Sequence, residues 1–279
     1  MPDIRAYAGV CGLWRVAALP YLYRSVWLRS MKNLRGLSSI LDGDPSIAKY
    51  IRRVQLRGTR RDEQDCWMYA FPSAIKTHLP ALRVLDIRHL QRKQRNKEDI
   101  EAFSNWILTL REIPSIQQLY LGLVTIPSNA MTSLVCGLPS LTTVWLEESD
   151  FGGKNRAQLG DEQGRIIGNR VSTRSQADSR GPLAYPVLYS PPLLESLRVT
   201  NCSIELRHLR DWLYPKHRPV HLPSLDLMPC VSINLRALVK TLPIFFSTLE
   251  ELSISTQGTE IFKCTSQHFV FDFTSFSYP

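Results

Sequence analysis

No stretch of this 279-residue sequence approaches the roughly 18 consecutive apolar residues that a membrane-spanning helix requires. Its opening, Met1-Pro2-Asp3, is not a basic head followed by a long apolar run, so no secretory leader is expected. The reading is a cytoplasmic and/or nuclear chain with no membrane partner. Six cysteines (Cys11, Cys66, Cys136, Cys202, Cys230 and Cys264) never form a Cys-x-x-Cys pair, and no histidine cluster accompanies them. That argues for reduced, buried thiols rather than disulfides or zinc.

Glycine is sparse at 14 residues, and none is arranged as a phosphate loop or a dinucleotide fingerprint. There is no nucleophile elbow, and the six histidines stand singly. Glu147 and Glu148 are adjacent carboxylates, but neighbours on a strand point to opposite faces and would not serve one substrate. The expectation is therefore a chain that is not an enzyme, with no catalytic residues, no metal and no cofactor.

Positive charge exceeds negative, with a formal net charge of +9. Such an excess suits an acidic partner or nucleic acid. No glycine–aromatic RNA-binding signature or zinc-finger spacing is present, so nucleic acid is not the expected partner. The densest basic run is Arg88, Arg92, Lys93, Arg95 and Lys97. A solvated loop, a nuclear-import signal and a contact for an acidic partner all fit it.

What the sequence does contain is a repeat. A large aliphatic, two free positions, a second aliphatic, one free position and a third recur seven times. They are Ile51-Val54-Leu56, Leu82-Leu85-Ile87, Ile116-Leu119-Leu121, Leu141-Val144-Leu146, Leu194-Leu197-Val199, Leu222-Leu225-Leu227 and Leu249-Leu252-Ile254. The starts lie 25 to 34 residues apart, except for one interval of 53. Side-chain alternation makes each signature a short strand whose second and third aliphatics point inward. Pro80, Pro114, Pro139 and Pro192 stand two places before four of the signatures. Proline cannot continue a helix, so each marks a switch from helix to strand. Helical faces fall between strands, as in Ile100-Phe103-Ile107-Leu110, Leu206-Leu209-Leu213 and Leu235-Leu238-Val239-Leu242.

The pattern predicts an α/β leucine-rich-repeat solenoid of short parallel strands alternating with helices, with irregular repeats. The solenoid is expected over residues 27–260. The long interval holds 152–182, a polar segment with no period, read as a disordered insertion or a mispredicted exon, with a degenerate eighth repeat near Leu183–Leu188 as a further reading. In residues 261–279 the signature stops and phenylalanines stand in a Ser/Thr background. Either a capping strand around Val270-Phe271-Asp272-Phe273 or read-through sequence would look like this. Three places past the third aliphatic, such repeats often tuck an Asn or Cys under the turn. Here that position is Thr59, Leu90, Val124, Ser149, Cys202, Cys230 and Gln257, of which the two cysteines fit well.

The opening segment Val10-Cys11, Trp14-Arg15, Ala18-Leu19-Pro20 and Leu22-Tyr23-Arg24-Ser25-Val26 resembles the last helix and exit of the F-box in fungal F-box/leucine-rich-repeat proteins. The match covers about seventeen residues, and the Leu-Pro-x-Leu repeat entries extend the likeness to about residue 256. The resemblance implies an F-box remnant over 1–26. Cys11, Trp14, Leu19, Leu22 and Tyr23 would contact the adaptor subunit of an SCF ubiquitin ligase, while the repeats hold the protein to be ubiquitinated. The first two F-box helices have no counterpart in the nine residues before Val10. A second reading has Trp14 and Tyr23 plugging the open end of the first repeat.

The outward positions of the strands should form a ladder on the concave side, from Arg53, Gln55 and Arg57 to Glu251 and Ser253. Its candidate partner-binding residues are Arg57, Asp86, Arg88, Tyr120, Trp145, Glu147, Arg198 and Asp226. Tyr120 and Trp145 should be neighbours, and aromatics with arginine beside them are typical interface anchors. The expected function is protein binding, as a substrate-recognition subunit of a ubiquitin ligase. The alternative is a repeat scaffold without a ligase.

Overall fold

The computed structural model describes residues 11–58, 67–75, 79–90, 105–126, 128–150, 193–202, 221–228, 249–256 and 259–265. Nine strands form one open sheet in sequence order: β1 (Ser25–Leu28), β2 (Arg53–Arg57), β3 (Val84–Arg88), β4 (Gln118–Gly122), β5 (Thr143–Glu147), β6 (Ser196–Thr200), β7 (Ser224–Leu227), β8 (Glu251–Thr256) and β9 (Thr259–Thr265). The first eight are parallel, and β9 runs antiparallel to β8. The described helices are α1 (Gly12–Leu22), α2 (Met31–Gly43), α3 (Trp67–Ile75) and α4 (Ser128–Gly137), with a short 3-10 helix at Pro45–Tyr50. Residues 105–110 are also helical. This is the expected α/β class with parallel strands.

The register is constant. Leu85, Leu119, Val144 and Leu197 are successive partners across β3–β6, and Ile87, Leu121, Leu146 and Val199 form a second column. All eight are buried, as is the first aliphatic of every signature. Each repeat thus gives three aliphatic side chains to one continuous core. Helices cover that core from one side. Leu34, Leu37 and Leu41 line one face of α2, and Trp106, Ile107 and Leu110 line the helical stretch 105–110. Of the three helical faces expected from sequence, Ile107 and Leu110 are described and buried. The rest lies outside the described residues.

The prolines do more than end helices. Leu79, Ile113 and Leu138 each accept, through their carbonyl, the N–H of the residue three places on: Leu82, Ile116 and Leu141. Pro80, Pro114 and Pro139 therefore occupy the second position of a β-turn, where a fixed φ is already correct. Both apolar ends of each turn are buried, so Leu-Pro-x-Leu is a turn stapled to the core.

Strand exits are equally regular. His89, Leu123, Glu148 and Asn201, each immediately after a strand, have φ of 61°, 54°, 46° and 52°. This left-handed turn reverses the chain toward the core. In the next position Leu90, Val124, Ser149 and Cys202 are buried. Ser149 Oγ accepts the Val124 N–H at 3.3 Å and lies 2.8 Å from the Glu147 carbonyl, while Cys202 Sγ bonds the Thr200 carbonyl. Leu90 and Val124 fill the same position by burial alone.

The described residues add one parallel strand to the seven read from sequence. An eighth signature precedes the seven, in β1, where Val26 pairs with Val54 and Leu28 with Leu56. Tyr23, three places before Val26, packs against the core where an aliphatic would stand. An aromatic first member sets this signature apart from the other seven. β1 also straddles the expected boundary at 26/27. β5 pairs directly with β6, and the degenerate repeat read near Leu183–Leu188 lies outside the described residues. The proposed insertion 152–182 lies outside the described residues. The last strand among the described residues is β9, and the Val270–Phe273 stretch, read as a capping strand or read-through sequence, lies outside them.

Candidate functional site

The sheet face turned away from the core carries one unbroken cross-strand row: Trp27, Gln55, Asp86, Tyr120, Trp145, Arg198, Asp226 and Ser253. Strand alternation places them there, because their neighbours in sequence are the inward aliphatics. Two rows flank it. One runs through Arg53, Val84, Gln118 and Thr143, the other through Arg57, Arg88, Gly122 and Glu147.

At its centre the rings of Tyr120 and Trp145 lie 5.3 Å apart at 47°. Arg53 sits over Tyr120 at 5.5 Å, and Arg198 over Trp145 at 4.9 Å. Neither guanidinium is loose. Arg198 Nε donates to Asp226 Oδ2 at 2.7 Å, and Arg53 Nη2 donates to Asp86 Oδ2 at 3.3 Å. Two aromatics are thus clasped between two arginines, each anchored by a carboxylate. Such an arrangement loses little side-chain freedom when a partner lands on it. Trp145 Nε1 and Asp226 Oδ1 are buried without a hydrogen-bond partner among the described residues. Unmet polar atoms of this kind cost free energy in the unbound protein.

Asp86 behaves differently from its expected role. It points away from the aliphatic core yet has 0 % exposure. Arg53, Gln55 Nε2 at 2.8 Å and Arg88 Nε at 3.0 Å cover both oxygens. It organises the arginines and offers no surface to a partner. Arg88 also reaches Glu147 at 3.7 Å. Arg57 has no ion-pair partner among the described residues, and it is exposed.

Beside the row is a depression of about 260 Å³, lined among others by Trp27, Arg57, Arg88, Glu147 and Glu148. That overturns the separation expected for the two glutamates. Glu148 has already left the strand at a left-handed φ of 46°, so strand alternation no longer applies to it. Trp27 is 57 % exposed and carries Arg29 over its ring at 5.6 Å. It was missed with β1, although Val26-Trp27-Leu28 shows the alternation.

The residues of the F-box likeness divide. Cys11 and Trp14 are exposed, whereas Leu19, Leu22 and Tyr23 are half-buried. On the same helix Leu13, Val16 and Tyr21 are exposed, giving α1 an apolar surface with Trp14. Among the described residues no group of histidine, cysteine, aspartate or glutamate is placed to hold a metal ion, and no helix is long and apolar enough to cross a membrane. The basic run begins at Arg88, which belongs to the sheet face. Its remainder, 91–100, lies outside the described residues.

The arrangement brings anchored cations, two tilted aromatic rings in contact and carboxylates together on one sheet face. No protein-family model matches the chain, and no curated protein is similar to it.

Proposed function

We propose that this chain is a leucine-rich-repeat protein whose open sheet face captures another protein, as the substrate-recognition subunit of an F-box-type SCF ubiquitin ligase. The observation that carries the binding role is the Tyr120–Trp145 pair held between Arg53 and Arg198. Buried aromatics and arginines are the side chains that dominate interface energies, and here both are preorganised. The repeat assignment is supported by the constant register, the stapled Leu-Pro-x-Leu turns and the left-handed exits. The ligase role is supported by the N-terminal likeness and by the exposed Leu13, Trp14, Val16 and Tyr21 of α1, an apolar surface of the kind a protein partner covers. On this reading the chain does no covalent chemistry and positions its target for subunits that do.

One observation favours the scaffold alternative. Tyr23 and Val26, inside the F-box likeness, serve the first repeat by packing against its core. The experiment that separates the two is co-purification with the SCF adaptor subunit. The ligase reading expects a complex that Leu13→Asp with Trp14→Asp abolishes. No adaptor binding, with target capture retained, leaves the scaffold.

A further inference from the structure

The open face is electrically lopsided along the direction in which its strands stack. On β2 and β3 it carries Arg53, Arg57 and Arg88 against Asp86, a net charge of +2. On β4 it carries none, only Gln118, Tyr120 and Gly122. From β5 to β8 it carries Arg198 against Glu147, Asp226 and Glu251, a net charge of −2. The aromatic pair sits where the two halves meet, with Tyr120 on β4 and Trp145 on β5. Arg57 and Glu251, near the two ends, are both exposed and without an ion-pair partner among the described residues.

We propose that the segment held on this face is an extended peptide with an acidic end, an apolar or aromatic middle and a basic end. The inference rests on the reading that the face binds a protein, and it names the class of partner segment. Charge complementarity sets the order: acid over β2–β3, anchor over Tyr120 and Trp145, base over β7–β8. Geometry sets the length. Neighbouring strands are about 4.8 Å apart, so β2 to β7 spans about 24 Å, which an extended chain at about 3.3 Å per residue covers in about seven residues. A peptide of that length with one charge sign would meet a like-charged half in either orientation. The chain's overall positive charge therefore does not make this face a general anion binder.

The test is selection from a display library of random peptides on the full 279-residue chain. Enriched peptides should carry acid and base on opposite sides of an aromatic or aliphatic residue. A synthetic member of that set should bind about tenfold more weakly to an R57E/E251K variant, which brings both halves to zero net charge. Its affinity should also fall as salt is raised. Enrichment of single-sign or uncharged peptides, or affinity indifferent to R57E/E251K, overturns the polarity, whereas no enrichment at all overturns the reading it rests on. That reading also fails if enriched peptides bind a Y120A/W145A variant as well as the original chain.

Discussion

Arg88 and Asp86, two positions apart on β3, form an ion pair at 3.0 Å over a carboxylate with no exposed surface. Gln55 and Arg53, reaching from β2, complete the cover. Asp86→Ala removes the acceptor shared by three side chains. The arginines are 45 % and 40 % exposed and turn to water, which limits the loss. We expect a destabilisation of about 1–2 kcal/mol by urea unfolding. Because Arg53 would then leave the Tyr120 ring, partner affinity should fall as well.

Tyr120 and Trp145 stabilise each other as well as offering a surface. A double-mutant cycle through Tyr120→Ala and Trp145→Ala should give a coupling of about 0.5–1.5 kcal/mol in thermal or urea unfolding. Partner capture by the double variant should be lost while its far-UV circular dichroism stays unchanged. Undiminished capture would remove this face from the binding role.

Ser149 tests the turn chemistry. Its buried hydroxyl accepts the Val124 N–H and donates to the Glu147 carbonyl, the nearer of two carbonyls in reach. Ser149→Val leaves buried backbone groups unmet and should cost about 1–3 kcal/mol. Ser149→Cys, the residue that holds the matching place at Cys202, should lose less. Equal losses would show that the site needs volume rather than a polar atom.

Burial pushes the Cys136 thiol up to about 11, with the Arg111 charge pulling in the opposite direction. The folded chain therefore holds this proton more tightly than the unfolded one. The stability tied to it is whole below pH 9.0 and is lost as the pH rises toward 11. Cys136→Ala should flatten that part of the stability profile. In native protein at neutral pH, alkylation followed by peptide mass spectrometry should find Cys11 modified before Cys136 and Cys202, which are both buried.

The sheet was legible in the sequence because its pattern is strict: three aliphatics at fixed offsets leave one choice of inward face, and the prolines before four of the signatures mark where those strands begin. The Tyr120–Trp145 neighbourhood followed from the same alternation. Three features escaped. β1 was hidden because Tyr23 replaces the first aliphatic. Asp86 was read as a partner contact because alternation tells only which way a side chain points. Coverage by Arg53, Gln55 and Arg88 depends on three side chains from two strands. Glu148 was placed wrongly because a left-handed φ at a non-glycine residue has no signature in the residue itself. The position shared by His89, Leu123 and Asn201 reveals it only once the repeats are aligned in space.

Eight strands run one way and β9 runs the other. Without that reversal the last strand would offer a bare edge matching, in direction and spacing, the edge that β1 presents at the opposite end. Two molecules could then join head to tail, and a third to the second, with nothing to close the series. A counter-running last strand removes that parallel match between the two ends of the described sheet.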